Sequence, residues 1–480
     1  MNIFNYFSKK GIDTVDVSFY RKIAEWESWY EGNVRGFQFY KIYTGQGNYQ
    51  RRRRKSLGMA KKVCEDIADL LLNERVRITV DDDATGKFVN SILTAVRFPV
   101  LGNEYQERKA SVGTVAYIPY LYDIQLDGGG RVEKARIGMN YVTADNIYPI
   151  TWENGEIREV AFTFPKTVNR RKYIHVQFHQ LEGGEYVITN TVLETRAGSQ
   201  EGTELRPEEW EKLKPFAGLA PKINTGSDKP QFVIDRLNLV NNADTDKTNP
   251  MGIALFANEI DILKKLDTEY DSYSSEFELG RKRIFVSPTL MKSRNGNMAF
   301  DPEDAVFYSL PEDYSAAGEE KDRLIHEINM DLRTDEHQKA INDDLNYLSA
   351  RIGFGTDYYE FNHVGVQAKT ATEVISENSD LYRTIRKHEI VLNDVLKELV
   401  KIIIRLGITA GNVLKEDAEV IVDFDDSIIE DKTAERKQDQ ADVAMGAMQL
   451  WEYRAKWYSE DEKTAKAAVA SAVQAEDVIK

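Results

Sequence analysis

Two long segments with a helical repeat, 249–280 and 333–352, constrain the fold of this chain more than any other feature. Their apolar positions recur at helical spacing: Ile262, Leu266, Tyr270 and Tyr273 in the first segment, and Ile341, Leu345 and Leu348 in the second. An amphipathic helix is only marginally stable alone, because most of its stability comes from packing its apolar face. We therefore expect the two helices to pack together, with residues 281–332 as a small insertion between them.

Residues that favour helix ends set the predicted boundaries. Asn249 can cap the first helix, Pro250 suits its first turn, and Gly280 can end it. At about 1.5 Å per residue, this helix would be roughly 45 Å long. The capping box Thr370–Glu373 predicts a third helix that could extend to Gly407. The order expected in this half is therefore helix, insertion, helix, loop and very long helix.

The chain changes its hydrophobic period within its first half. Residues 1–110 carry apolar stripes at helical spacing, so a helical layer is expected there. From 111 to 240 the period is two, and Asn154–Gly155 and Gly183–Gly184 separate alternating runs, which predicts β-hairpins. Gly128–Gly130 indicates a third hairpin. The predicted fold class is α+β, mainly helical, with two further helices in an acidic segment, 431–480.

Charge is unevenly distributed in this chain of net charge −16. The last 70 residues are strongly acidic, whereas Arg51–Lys55 is a run of five cations. An acidic chain is a poor general binder of DNA, because affinity depends on cations that replace phosphate counterions. A channel that surrounds DNA without holding it would suit such a balance, but so would an ordinary acidic protein, and charge alone does not separate the two. The basic run has two open interpretations, a phosphate contact or a solvated linker before the next helix.

The sequence offers little support for catalysis or for a metal site. Asp81–Asp83 and the group Asp423, Asp425 and Asp426 could be imagined as Mg²⁺ ligands of a nuclease, but a turn and a solvated loop are the favoured interpretations. His175 and His179 share a strand face without an evident third ligand. The single cysteine, Cys64, is interpreted as a core residue. We predict no catalytic residue, metal or cofactor, and a Mg²⁺-dependent nuclease is the remote alternative.

Several stretches, in their order along nearly the whole chain, resemble the portal proteins of long-tailed phages that infect Gram-positive bacteria. The most specific are Leu332–His337, Ala340–Leu345, Gly353 and Lys369–Val374. Supporting stretches are Trp26–Gly32, Leu57–Val63 and Asp267–Ser272. None of them is a catalytic signature, so the resemblance rests on many matches in the right order.

The resemblance implies a portal fold with wing, stem, clip and crown, assembled into a ring of about twelve subunits around double-stranded DNA. The implied regions are wing 1–248 and 370–430, stem helices 249–280 and 333–352, clip 281–332, tunnel loop 353–369, and crown 431–480. The implied tunnel-loop residues in the DNA channel are Gly353, Gly355, Thr356, Asp357, Tyr358, Tyr359 and Lys369.

The resemblance also implies partners and a location. The expected partners are further copies of the chain, the terminase large subunit, a head-completion or adaptor protein, and the major capsid and scaffolding proteins. No membrane is expected, since no apolar run approaches the roughly 20 residues of a spanning helix. The expected location is the portal vertex of the virion, after assembly in the host bacterial cytoplasm. The main alternative is another ring-forming or shell-associated virion protein, which would not explain the order of the elements.

Overall fold

The computed structural model describes residues 3–43, 48–73, 76–126, 128, 132–195, 202–280, 283–286, 307–309, 325–328, 331–356, 358–359, 371–424, 432–458 and 462–469. Helices and mainly antiparallel sheets occupy separate parts of this chain, which is the predicted α+β class. Among the helices of these residues, none is both long and apolar enough to cross a bilayer.

The N-terminal layer contains five helices: α1 (Ile3–Lys9), α2 (Val17–Tyr30), α3 (Met59–Leu71), α4 (Asp83–Ala95) and α5 (Phe98–Val112). Phe19, Ile23 and Trp26 are buried on one face of α2, which confirms the predicted stripe. Cys64 is fully buried in α3, and burial raises the pKa of its thiol, in agreement with a core residue.

Three strands interrupt this layer, so the prediction that residues 1–110 are purely helical was wrong. They are β1 (Phe39–Tyr43), β2 (Tyr49–Arg53) and β3 (Arg77–Val80). β1 and β2 form an antiparallel hairpin, and Arg51–Arg53 lie within β2 instead of in a linker. The aromatic and β-branched residues of β1 favour a strand, because they fit a pleated, half-buried surface.

Residues 114–236 form two sheets, and their strands are β4 (Thr114–Leu126), β5 (Val132–Thr143), β6 (Ile147–Glu153), β7 (Glu156–Val168), β8 (Arg171–Glu182), β9 (Glu185–Thr195), β10 (Gly202–Glu204), β11 (Lys222–Asn224) and β12 (Val233–Arg236). The larger sheet has the order β10-β9-β8-β7-β6 with β11 also on β9, and the smaller one has the order β12-β4-β5. All three predicted hairpin pairings are confirmed. Asn154 and Gly155 both have positive φ, as a type I′ turn requires. A short helix, α6 (Pro207–Trp210), follows β10.

The helix predicted from Asn249 begins later, as α7 (Ile260–Leu279). The Asn249 side chain accepts from the Met251 N–H at 2.9 Å and caps no helix. The chain that follows is bound to the end of α5: the Leu255 N–H donates to the Ala110 carbonyl at 2.8 Å. A Cβ on Gly252 would lie 2.2 Å from the carbonyl oxygen of Gly113. These tertiary contacts satisfy the backbone in place of a helix, and at about 1.5 Å per residue α7 is only about 30 Å long.

The other predicted helices are close to their expected positions. They are α8 (Thr334–Ile352), which ends at a left-handed Gly353, and α9 (Ala371–Thr409). The capping residue Thr370 lies outside the described residues. Between α7 and α8, the described part of the insertion is a three-stranded sheet of β13 (Arg283–Val286), β14 (Phe307–Ser309) and β15 (Ile325–Ile328), with β13 central.

After α9, β16 (Val420–Asp423) pairs with β3, which returns the chain to the N-terminal layer. The described residues of the acidic segment include α10 (Lys432–Met445), α11 (Leu450–Tyr458) and a helical stretch at 462–469, and its predicted helix start at Ser459 lies outside them. One apolar core joins the N-terminal layer, the smaller sheet, α9 and the α7–α8 pair. The N-terminal layer, both large sheets and α9 are called the body below.

Candidate functional site: the helix pair and the segments that hold it

The apolar seam between α7 and α8 contains most of the residues predicted to pack there. Leu266, Ile341, Leu345 and Leu348 are buried, whereas Ile262 and Tyr273 are partly buried against the same core. Tyr270 is only half-buried. Leu263, which faces the same core, is also buried. The seam is narrow, as expected for two helices that each bury a single stripe.

Three ion pairs bridge the two helices at intervals along their length. From the body outwards they are Arg351–Glu259 at 3.1 Å, Lys265–Asp344 at 2.7 Å and Arg333–Glu276 at 3.0 Å. In each pair the carboxylate is nearly buried, while more than half of the basic side chain is exposed. The pairs fix the register of the helices, because a shift of one turn would separate every partner.

Glu276 closes the outer end of the pair. Its carboxylate accepts from the guanidinium and the backbone N–H of Arg333, and His337 lies 3.7 Å away. The hydrogen bonds from Arg333 lower the pKa of Glu276 to about 2. Ionisation of Glu276 therefore contributes to the stability of this end.

Two carboxyl oxygens in the middle of the pair are buried without a hydrogen-bond partner among the described residues. They are Oε2 of Glu269 and Oδ2 of Asp344. Burial, and next the neighbouring Asp344 charge, raise the pKa of Glu269. Lys265 lies 2.7 Å from Asp344 and 3.7 Å from Glu269, so one cation serves two carboxylates. The middle of the pair is under-satisfied, which costs free energy in a low-dielectric environment.

The opposite face of α7 binds the basic segment after β2. Asp267 accepts from the Leu57 N–H at 2.8 Å, and Asp271 accepts from the Lys55 N–H at 3.0 Å and from the Tyr40 hydroxyl at 2.8 Å. The Lys55 ammonium lies 3.0 Å from Glu278. Sequence analysis missed this contact. The signal was present, since acidic residues at helical spacing complement a cationic run elsewhere in the chain.

The loop after α8 starts at a glycine that the structure requires. Gly353 has a φ of 87°, and a Cβ there would lie 2.3 Å from Oγ1 of Thr384 in α9. That hydroxyl donates to the Gly353 carbonyl at 2.8 Å. Gly355 also has a positive φ and is buried, whereas Thr356 is exposed. The beginning of the predicted tunnel loop is thus fixed against the body.

The two tyrosines of this loop have different environments, although both were predicted to reach the channel. Tyr359 is 8% exposed, and its hydroxyl donates to Asp66 of α3 at 2.9 Å. Tyr358 is 39% exposed and lies edge-on against the Tyr359 ring. Only Tyr358 presents a ring to solvent here, while Tyr359 anchors the loop. Asp357 and Lys369 lie outside the described residues.

The residues considered as metal ligands have structural partners. Asp82 caps α4 by accepting from the Thr85 N–H at 2.8 Å, and Asp81 pairs with Lys415. Asp423 lies in β16, and Asp425 and Asp426 are outside the described residues. No group of three or more His, Cys, Asp or Glu side chains that could hold a metal ion occurs in the part of the chain that the structure describes.

The two histidines of β8 pack as core residues. His175 stacks on Phe164 and contacts Asn190 at 2.8 Å. His179 is fully buried against the rings of Phe162 and Phe232, and burial lowers its pKa to about 3. A ring that remains neutral and packed between aromatic side chains is a part of the core and not an open ligand.

Comparison with known proteins adds one match and one absence. A family model described as phage portal protein, SPP1 Gp6-like, matches residues 12–468. The match extends over the N-terminal layer from α2 onwards, both large sheets, the α7–α8 pair and α9. No curated protein matches the chain.

Proposed function

The chain belongs to the SPP1 Gp6-like family of phage portal proteins, and we propose that it forms a ring-shaped channel through which double-stranded DNA enters and leaves the capsid. The observation that carries the proposal is the family match over residues 12–468, which contains the helix, insertion, helix and loop in one order. The proposed location is one vertex of the virion capsid, after assembly in the host cytoplasm.

The α7–α8 pair is the proposed stem that lines the ring. Its seam buries one face of each helix, while the outer face of α8 exposes Lys339, Asp343 and Tyr347. Tyr347 is 65% exposed, which is high for a large aromatic side chain on a long helix. A head-to-tail contact between identical subunits closes into a ring when the rotation per subunit divides a full turn. We propose a ring of about twelve subunits, in which this face meets the next copy.

The remaining regions receive roles from the same proposal. The wing, 1–248 and 370–430, would face the major capsid and scaffolding proteins. The clip, 281–332, would dock the terminase large subunit during packaging and a head-completion or adaptor protein afterwards. The crown, 431–480, would lie inside the capsid. The chain would act as a conduit and docking platform and not as an enzyme.

The segment 353–369 is the proposed tunnel loop. Tyr358 supports this role, because its exposed ring can lie against a sugar–phosphate backbone. Tyr359 supports it differently, since its contact with Asp66 holds the start of the loop on α3. Replacing Tyr358 with Ala should impair DNA packaging while leaving the ring intact, and normal packaging by this variant would contradict the DNA contact.

The first test is the mass of the purified full chain by light scattering, with negative-stain images of the same fraction. The proposal expects a closed ring of about a dozen subunits with a central hole. Tyr347→Ala should lower the ring fraction, with Lys466→Ala, a lysine on the last helical stretch, as its control. Closed shells or flat sheets instead of rings would favour a shell-associated virion protein and contradict the proposal.

A further inference from the structure

The outer face of the β1–β2 hairpin combines cations and aromatic rings. The register pairs Phe39 with Arg53, Lys41 with Arg51, and Tyr43 with Tyr49. Residues that are directly opposite in an antiparallel pair share one face, and alternate residues along each strand share it too. All six side chains are exposed, and Tyr43 and Tyr49 are 67% and 72% exposed. We call these six residues the ribbon face.

The inner face of the same hairpin is already occupied. Tyr40 donates to Asp271, and Arg52 lies 3.9 Å from Glu278, both on α7. The acidic side of α7 therefore neutralises the inner face and orients the hairpin. The ribbon face must point away from α7, because strand side chains alternate between the two faces.

The cations of the ribbon face have no carboxylate partner among the described residues. Lys41 and Arg53 appear in no ion pair of these residues, and the Arg51 guanidinium lies 4.0 Å from the centre of the Phe39 ring. A cation over a ring keeps its charge and is held in a defined position. Among the described residues, the ribbon face therefore combines three cations without a carboxylate partner and three exposed aromatic rings.

We propose that the ribbon face binds the phosphate backbone of double-stranded DNA, at a place separate from the 353–369 loop. A two-stranded ribbon is one of the two elements that the major groove of B-DNA admits. Lys41, Arg51 and Arg53 would neutralise phosphates, and Tyr43 and Tyr49 at the tip would lie against the sugars. The inference rests on the proposed function only for the presence of double-stranded DNA.

Two features favour DNA over an acidic protein surface as the partner. Residues two apart on one strand are about 6.8 Å apart along the backbone, a spacing that suits contacts of Arg51 and Arg53 with successive phosphates. Three cations and three rings share the ribbon face, which is the combination used at nucleic-acid backbones and grooves. An acidic surface on a second copy of the chain is the competing occupant, and the test below separates the two.

The test measures binding of the full chain to a fluorescently labelled DNA duplex of mixed sequence by anisotropy, across a salt series. The ribbon variant removes the charges of the ribbon face through the substitutions Lys41→Gln, Arg51→Gln and Arg53→Gln. The control variant removes three exposed charges near the tip of the β7–β8 hairpin through the substitutions Lys166→Gln, Arg170→Gln and Lys172→Gln. Both variants change the net charge equally. Circular dichroism and light scattering establish that folding and assembly are retained.

The ribbon variant should bind the duplex about tenfold more weakly or worse, and its log–log salt slope should fall by up to about three, since each phosphate contact contributes about 0.9 to the slope. The control variant should bind like the original protein. Equal weakening in both variants would show a general charge effect and overturn the proposal. Unchanged DNA binding with a lost ring would identify the ribbon face as a contact between copies, and would also overturn it. A parent protein that forms no ring but shows the expected ribbon effect would contradict the proposed function alone.

Discussion

The most enclosed ion pair of the body is built differently from the ion pairs between α7 and α8. In the body, Lys109 and Asp235 lie 2.9 Å apart, and their side chains are 1% and 0% exposed. Gln106 also donates to Asp235 at 2.7 Å, so the buried carboxylate is well satisfied. In the helix pair, Arg351 is 62% exposed beside a Glu259 that is 7% exposed. Lys109 and Asp235 are both enclosed, whereas each ion pair between the two helices encloses only its carboxylate.

The helix pair also has a surface that one subunit leaves uncovered. The pair has a narrow seam, an unsatisfied Asp344 oxygen and exposed rings at Tyr347 and Phe277. A surface with these properties gains stability when another surface covers it. In the proposed ring the next subunit would provide that cover, so the stem would be stable mainly as an assembly.

The largest expected effect comes from breaking the Lys109–Asp235 ion pair in the body. Lys109→Met leaves Asp235 charged and buried, which should lower the free energy of unfolding by about 3 to 5 kcal/mol. The measurement is urea denaturation followed by circular dichroism. The control is Lys222→Met, which removes an exposed pair with Glu182 and should cost less than about 1 kcal/mol.

A double variant tests whether the loss of stability in Lys109→Met comes from the unpaired buried charge of Asp235. Adding Asp235→Leu to Lys109→Met should recover most of the loss, because no unpaired charge remains. If the double variant is as unstable as the single one, the cost lies in packing and the comparison between enclosed and half-enclosed pairs loses its basis.

The second prediction compares the stability losses from substitutions on the buried and the exposed face of α8. Leu345 is 0% exposed, and Leu345→Ala should cost about 3 kcal/mol in urea denaturation through a lost side chain and a cavity. Tyr347 lies two residues further on the exposed face, and Tyr347→Ala should change folding stability by less than about 0.5 kcal/mol while it lowers the ring fraction. Equal stability losses for both variants would mean that the outer face of α8 is already packed within one subunit.

The elements with strong local signals could be predicted from sequence. α8 has a full apolar stripe and a terminal glycine at positive φ, and α9 has an apolar stripe over nearly all of its length. The hairpin at Asn154–Gly155 followed from turn chemistry alone. In each case the decisive residues are neighbours in sequence, so periodicity and turn rules are sufficient.

The remaining features depend on partners that are distant in the chain. Asn249 carries a capping side chain, but the backbone after it binds Ala110 and Thr114 of the body and does not form a helix. Tyr359 was indistinguishable from Tyr358 in sequence, because its partner, Asp66, is 293 residues away. Of the predicted site, the helix seam was therefore predictable, whereas the role of each loop tyrosine was not.

The third prediction concerns the pH dependence of folding stability that His179 in the body confers. The pKa of His179 is about 3 in the folded protein and near its usual value of 6.5 when unfolded. Its contribution to stability is complete above pH 6.5 and is lost as pH falls towards 3, since the unfolded chain takes up the proton first. Between pH 7 and 5.5 the free energy of unfolding of the original protein should fall by about 1.3 kcal/mol more than that of His179→Gln.

The test of this effect is urea denaturation at both pH values, with His337→Gln as the control because that ring lies on the helix pair and not in the body. A pH dependence that survives in His179→Gln would have to come from another group. His388 is the first to examine, since burial also lowers its pKa to about 3.

The smallest effect concerns the exposed end of the helix pair. Arg333 holds the pKa of Glu276 at about 2, so this contact stabilises the folded protein above the usual glutamate pKa near 4.5 and is lost as pH falls from there towards 2. Glu276→Gln should therefore lower the urea midpoint at pH 7 and leave it unchanged near pH 2, whereas Glu104→Gln, an exposed residue in the middle of α5, should change it at neither pH. The effect should be small and should shrink in high salt, because Arg333 is 68% exposed and water and ions screen the pair. A large, salt-independent loss in Glu276→Gln would show that this end is as enclosed as the body pair, and the contrast between the two regions would then fail.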